Sequence, residues 1–242
     1  MTATRLARPV DSAPSTRDGD PPGRGWAGSI AVLLGMAIVV VAILLSQFGT
    51  ISGGAPPLDR REEDLTGTGD LGRPWRAIRG EWSRTEVGAA VTRPGDRLSV
   101  AVRPVGGVDG TLEVTGLTGV DGWSVVWRWE DAGTYGLVVV EPSEGSISLV
   151  EVVSDRTRLL AEAPLPPAGD APGAVVVELA GPVVKARIDG AVAVAGRADR
   201  LTTGTLAGVA VLGEPDGARF ASFRSQPPEA AEVREVEPGG AP

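Results

Sequence analysis

The 242-residue sequence contains no cysteine and no histidine, and its basic side chains are 22 arginines against the single lysine Lys185. Without cysteine there is no disulfide framework, thiolate metal site, haem-attachment motif or cysteine nucleophile. Without histidine, a Ser-His-Asp triad, an imidazole general base and an imidazole metal ligand are excluded as well. Tyrosine is nearly absent, Tyr135 being the only one. A net charge of −8 lacks the concentrated basic surface that nucleic-acid binding requires, so no nucleic-acid partner is expected. No glycine-rich loop precedes a helical pattern in the way a phosphate cradle demands.

What is present begins with a run of nineteen uncharged residues, 27–45, AGSIAVLLGMAIVVVAILL. As a helix it would be about 28 Å long, close to the roughly 30 Å hydrocarbon core of a bilayer. It has no polar stripe and no proline, which predicts a membrane-inserted helix over 26–47 with the lipid bilayer as its partner. The apolar run exceeds the 7–15 residues usual for a cleaved signal, so an uncleaved signal-anchor is the expectation. Arg5, Arg8, Arg17 and Arg24 precede it, whereas only Arg60 and Arg61 follow closely. That asymmetry predicts a single-pass membrane protein with a cytoplasmic N-terminus and an extracytoplasmic C-terminal region. Ala27, Ala31 and Gly35 recur every four residues, a spacing that would let two helices pair as a homodimer; the plainer reading is that the whole chain is rich in Ala and Gly.

Residues 1–25, rich in Pro, Ser, Thr, Asp and Arg, read as a disordered cytoplasmic tail, and 48–74 as a flexible linker. Residues 227–242 read as a disordered acidic tail. Between them, over 75–226, short apolar runs alternate with Gly, Asp, Pro and Ser, giving eleven or twelve strand patterns. In RLSVAVRP, Leu98, Val100 and Val102 should face one way and Ser99, Ala101 and Arg103 the other. In WSVVWRWE, Trp123, Val125, Trp127 and Trp129 should share one face. Asp189-Gly190 sits between two runs as a type I′ turn pair. No helical stripe longer than ten residues occurs outside 27–45. The fold class these patterns predict is therefore all-β, a sandwich or a barrel, preceded by one transmembrane α-helix.

Several stretches carry a family resemblance: GEWSRTEVGAAV (80–91), GWSVVWRWEDAGTYGLVVV (122–140), SLVEVVSDRTRLLAEA (148–163), VVKARIDGAVAV (183–194) and GTLAGVAVLGEPDGARFASF (204–223). Together they resemble the concanavalin A-like (laminin-G-like) jelly-roll domains, and within them the bacterial 3-keto-disaccharide hydrolase-like branch. The resemblance implies the fold class all-β, a two-sheet antiparallel jelly-roll sandwich, whose concave sheet in many relatives binds sugars. It does not bring catalysis with it: retaining glycoside hydrolysis needs two facing carboxyl groups, and no Glu-x-Asp-x-x-Glu lies on any strand pattern. Glu130 and Asp131 are neighbours and read as turn carboxylates.

The candidate ligand-binding residues are Arg128, Tyr135 and Trp123, each with a structural alternative. Arg128 could bind a carboxylate or sugar hydroxyls, or pair with a carboxylate on an adjacent strand. Trp123 could stack on a sugar ring, or pack in the core with Trp127 and Trp129. Tyr135 follows a turn and could reach ligand or pack at the rim. Phe220 and Phe223 read as core. No catalytic residue, metal site or cofactor is expected; calcium suits the fold, but Asp109, Asp121, Asp131 and Asp216 lack a ligating motif. The functional expectation is a non-catalytic binding module for cell-envelope carbohydrate or an envelope protein. A glycoside-acting hydrolase of the same fold and a structural or sensory ectodomain are the alternatives.

Overall fold

A computed structural model describes residues 55–115, 122–165, 173–213 and 218–229. The expected membrane helix, the N-terminal tail and nearly all of the acidic tail lie outside these residues. Among the described residues, no helix is long and apolar enough to cross a membrane.

The described chain is all-β, and its strands fall into two large antiparallel sheets and a small one. The six-stranded sheet runs in the order β1 (Arg61–Asp64), β16 (Ser222–Gln226), β7 (Gly110–Thr115), β12 (Val175–Ala180), β13 (Val183–Ile188) and β14 (Ala191–Arg197). The seven-stranded sheet begins with β11 (Arg156–Pro164), β10 (Ser146–Val153), β9 (Thr134–Glu141) and β8 (Trp123–Asp131). It continues through β15 (Leu206–Leu212) and β6 (Leu98–Pro104) to β3 (Arg76–Arg79) at its edge. A short third sheet joins β2 (Gly69–Asp70), β4 (Glu81–Thr85) and β5 (Gly88–Arg93). The alternation predicts a sandwich or a barrel; the structure is a sandwich, and strands that neighbour in space but not in sequence, such as β16 beside β7 and β15 beside β6, interleave it.

The fold starts earlier than the sequence indicates. Residues expected to form a linker include strands β1 and β2, and Leu58, Leu65 and Leu71 are buried in the main core. Single leucines spaced among charges carry no period-2 pattern, so this segment is invisible to a periodicity test although each leucine buries fully.

The main core lies between the two large sheets. Leu112, Val114, Val177, Val184 and Phe223 meet Ala101, Val125, Trp127, Val138, Ile147 and Val209 there. Trp75 meets Phe223 edge-on at 5.3 Å between ring centres, and Phe220 packs against both Trp82 and Trp123. Gly136 is required where it is: a Cβ there would lie 2.1 Å from the Trp127 ring, which covers the β9 backbone. The Asp189-Gly190 turn joins β13 to β14 with both residues at positive φ, 50° and 81°, as a type I′ geometry needs.

The other face of the seven-stranded sheet is apolar as well. Leu98, Val100, Val102, Val126, Trp129, Tyr135, Leu137, Val139, Val152 and Ala210 form a second buried cluster. Every described member belongs to this one sheet. In β6 the expected alternation holds, but Ser99, Ala101 and Arg103 point into the main core while Leu98, Val100 and Val102 point outward.

Candidate functional site

The site begins at an irregularity in β8. Arg128 has a positive φ of 47°, and the pairing of β8 with β9 slips between Trp127 and Asp131. The pairing of β8 with β15 slips at the same level. One bulged residue reverses the alternation that follows it. Trp123, Val125 and Trp127 therefore stay in the main core, as expected, whereas Trp129 is delivered to the outer face. There its ring stacks on Tyr135, with 4.7 Å between centres and 18° between planes.

Arg128 itself turns inward and is buried. Its Nε donates to the Val108 carbonyl at 3.1 Å and Nη1 to the Leu201 carbonyl at 2.8 Å. Nη2 donates to Asp109 Oδ1 at 2.9 Å and to the Gly181 carbonyl at 2.5 Å. The Gly181 amide also donates to Asp109 Oδ1. One guanidinium thus ties the β8 bulge to the chain before β7, to the β12–β13 turn and to the chain before β15. Burial lowers its pKa, and the Asp109 carboxylate opposes that shift. Because arginine titrates so high, the group remains a cation at all ordinary pH.

The three residues read from sequence as ligand contacts are not brought together. Trp123 is buried and packs edge-on against Phe220. Arg128 lies beneath the sheet and spends its fork on four protein acceptors. Tyr135 is on the outer face, where burial and Asp155 raise its hydroxyl pKa while Arg79 opposes them. Around the Trp129–Tyr135 pair the rim is polar: Glu130 accepts from the Thr203 hydroxyl, and Asp131 accepts from the Gly133 amide at 2.8 Å. The latter contact makes Asp131 a turn residue. Arg79 Nη2 reaches from edge strand β3 to the Ala132 carbonyl at 3.4 Å, and the Asp155 amide donates to the Gly133 carbonyl. Three separate segments therefore meet at the tip of the β8–β9 hairpin.

Three further ion pairs, in two groups each built on a buried side chain, were at most partly legible in the sequence. Glu63 on β1 accepts from Arg103 on β6 with one carboxylate oxygen and from Arg84 on β4, at 3.0 Å, with the other. Arg103 also lies over the Trp75 ring, 5.8 Å from its centre. Burial, with Arg61 nearby, lowers the Arg103 pKa. At the opposite edge, Glu151 of β10 is 1% exposed and pairs with Arg158 Nε of β11 at 2.9 Å. The Arg103 cluster joins the two large sheets, as only a long, forked cation can. A partial signal for it exists in the sequence, because Arg103 alternates in phase with Ser99 and Ala101. No group of three or more carboxylates that could hold a metal occurs among the described residues.

No protein-family model matches the sequence, and no curated protein matches it. Solved structures resemble it in backbone. The carbohydrate-binding module CBM66 from Bacillus subtilis aligns with a TM-score of 0.51 and 19% identity, over 63% of this chain and 92% of the module. The apo Crh5 transglycosylase aligns with a TM-score of 0.51 and 16% identity, over 73% of this chain and 89% of that one. A Bacillus subtilis protein of unknown function with a galectin-like fold aligns with a TM-score of 0.51 and 12% identity, over 72% of this chain and 98% of that one. At such identities the likeness shows the fold alone. The fold is a jelly-roll sandwich of the galectin and concanavalin kind.

Proposed function

We propose that this chain is a single-pass, membrane-anchored module that binds cell-envelope carbohydrate outside the cytoplasm and is not catalytic. The observation that carries the reading is the sandwich, whose backbone follows that of a carbohydrate-binding module over 92% of the module's length. The resemblance of its strand sequences to concanavalin A-like domains, many of which bind sugars, supports carbohydrate as the ligand class. The anchor and the compartment rest on the apolar run 27–45 and on the arginines before it.

The chemistry of the outer face favours binding over hydrolysis. Its described side chains on β6, β8, β9, β10 and β15 are aliphatic, aromatic or serine except Glu141 at the far end of β9. A glycosidase needs two carboxyl groups about 5–10 Å apart across one cleft; the acids that approach one another here, Glu141 with Glu144 and Glu162, lie at the end of β9 away from Tyr135 and its polar rim. Trp129 and Tyr135 are themselves buried, 3% and 7% exposed, and hold the rim above them in place; Thr203, Glu130 and Arg79 supply its exposed hydrogen-bonding groups. Fixed polar groups of this kind are what sugar hydroxyls bond to.

The test is glycan profiling of the full chain in detergent micelles, with neutral and charged polysaccharides and cell-wall fragments as probes. Saturable binding to at least one envelope glycan is expected, and a flat response to every class would overturn the reading.

A further inference from the structure

We infer that the β3 edge of the seven-stranded sheet is an anion-binding strip, so that the glycan bound is one bearing carboxylate or phosphate groups. The inference rests on the carbohydrate reading above and narrows it.

The starting observation is a surplus of unpaired cations in an acidic chain. Nine of the described arginines hold a carboxylate, among them Arg61, Arg84 and Arg224. Arg73, Arg76 and Arg97 are exposed and hold no carboxylate among the described residues, and neither does Arg79, which reaches the Ala132 carbonyl and lies near enough to Tyr135 to act on its hydroxyl. These four gather at one edge. Arg76 pairs in register with Val102 and Arg79 with Val100, and both valines face outward. The two guanidiniums therefore stand at the rim of the outer face. Arg97 immediately precedes β6 beside them, and Arg73 lies three residues before Arg76. The acids flanking them in sequence are Asp70, three residues before Arg73, Glu81, two after Arg79 and engaged by Arg93, and the exposed Asp96 beside Arg97.

The strand under them adds to the site. Among the described residues β3 is the last strand of its sheet, so its outer row of backbone groups faces no strand, and of these the Arg79 carbonyl accepts from Trp82 Nε1 at 3.2 Å. A proteinaceous strand would use that row for sheet extension, but three arginines in seven residues oppose close approach of any strand that is not itself acidic. A hydroxyl-rich, anionic chain meets both features: its hydroxyls fit the free backbone groups, and its anions fit the planar forks. Across the irregularity in β3, Arg76 and Arg79 lie opposite residues two apart on β6, so they stand about 7 Å apart along the strand, a spacing at which both forks reach anions of one chain.

The test uses the full chain in detergent micelles, titrated calorimetrically with polygalacturonate, poly(glycerol phosphate) and neutral dextran. Binding to a charged polymer is expected. It should weaken at least tenfold on raising the salt from about 0.05 M to about 0.5 M, since exposed charges are then screened beyond a few ångströms. The two charged polymers show whether carboxylate or phosphate is preferred. The combined variant Arg73→Ala, Arg76→Ala, Arg79→Ala should lose roughly tenfold or more in affinity, each exposed charge contributing a factor of about two to five. Arg156→Ala, on the opposite edge strand, should bind as the parent does. If the triple variant melts below the parent, Arg76→Gln alone is read, with an expected loss of about twofold or more. Dextran binding as tight as that of either polymer, or full affinity in the variants, would overturn the inference and leave the carbohydrate reading intact. Failure of all glycans would remove both.

Discussion

At the scale of single residues, arginine does work in this domain that cysteine does in many exported ones. Arg128 ties three segments to the β8 bulge, Arg103 bridges the sheets through Glu63, and Arg158 caps the buried Glu151. Each uses a fork that lysine lacks, which gives physical content to the 22-to-one ratio of the two residues. Removing one partner of a buried pair leaves the other charge unpaired in a poor solvent. Arg128→Ala should therefore lower unfolding stability by about 3–5 kcal/mol, read from the denaturant midpoint. An unchanged midpoint would contradict the role assigned to this side chain. Neither the partner nor the direction of Arg128 follows from spacing, because its carboxylate, Asp109, is nineteen positions away and no local pattern links the two.

At the scale of elements, alternation was legible and its exceptions were not. The β6 residues alternate between the two faces as expected, and the Asp189-Gly190 turn forms as its composition predicts. Alternation cannot say which face meets the other sheet when both are apolar, and in β6 the more polar-looking set is the one inside. It also cannot see a bulge, so Trp129 was expected beside Trp127 and is found on the opposite face. The polar ends of β9 and β11 carry a second consequence. Burial raises the pKa of Glu141, and Glu144 and Glu162 raise it further. A carboxyl whose folded pKa exceeds its unfolded value favours the fold while protonated and loses that contribution as pH rises through the folded pKa. Glu141→Gln should accordingly raise the melting temperature at neutral pH, with the gain disappearing below the unfolded glutamate pKa. A variant no more stable than the parent at pH 7 would show that these three carboxylates do not repel appreciably.

At the scale of the whole molecule, the missing side chains and the apolar faces fit one account. A cysteine-free sandwich of this size stabilises itself by burying both faces of its larger sheet, with arginine clasps at the edges. That leaves the exposed rim and the free β3 edge as the surfaces for recognition. The proposed topology places this sandwich outside the cytoplasm. Protease added to intact cells should then degrade the C-terminal region and spare an N-terminal tag, and the reverse pattern would invert the orientation. The central claim is that the sandwich binds carbohydrate. Calorimetric titration of the full chain in micelles with envelope glycan fragments tests it most directly. The account predicts a saturable isotherm with at least one fragment; the absence of heat with every fragment, from a sample whose sandwich is shown to be folded, would contradict it.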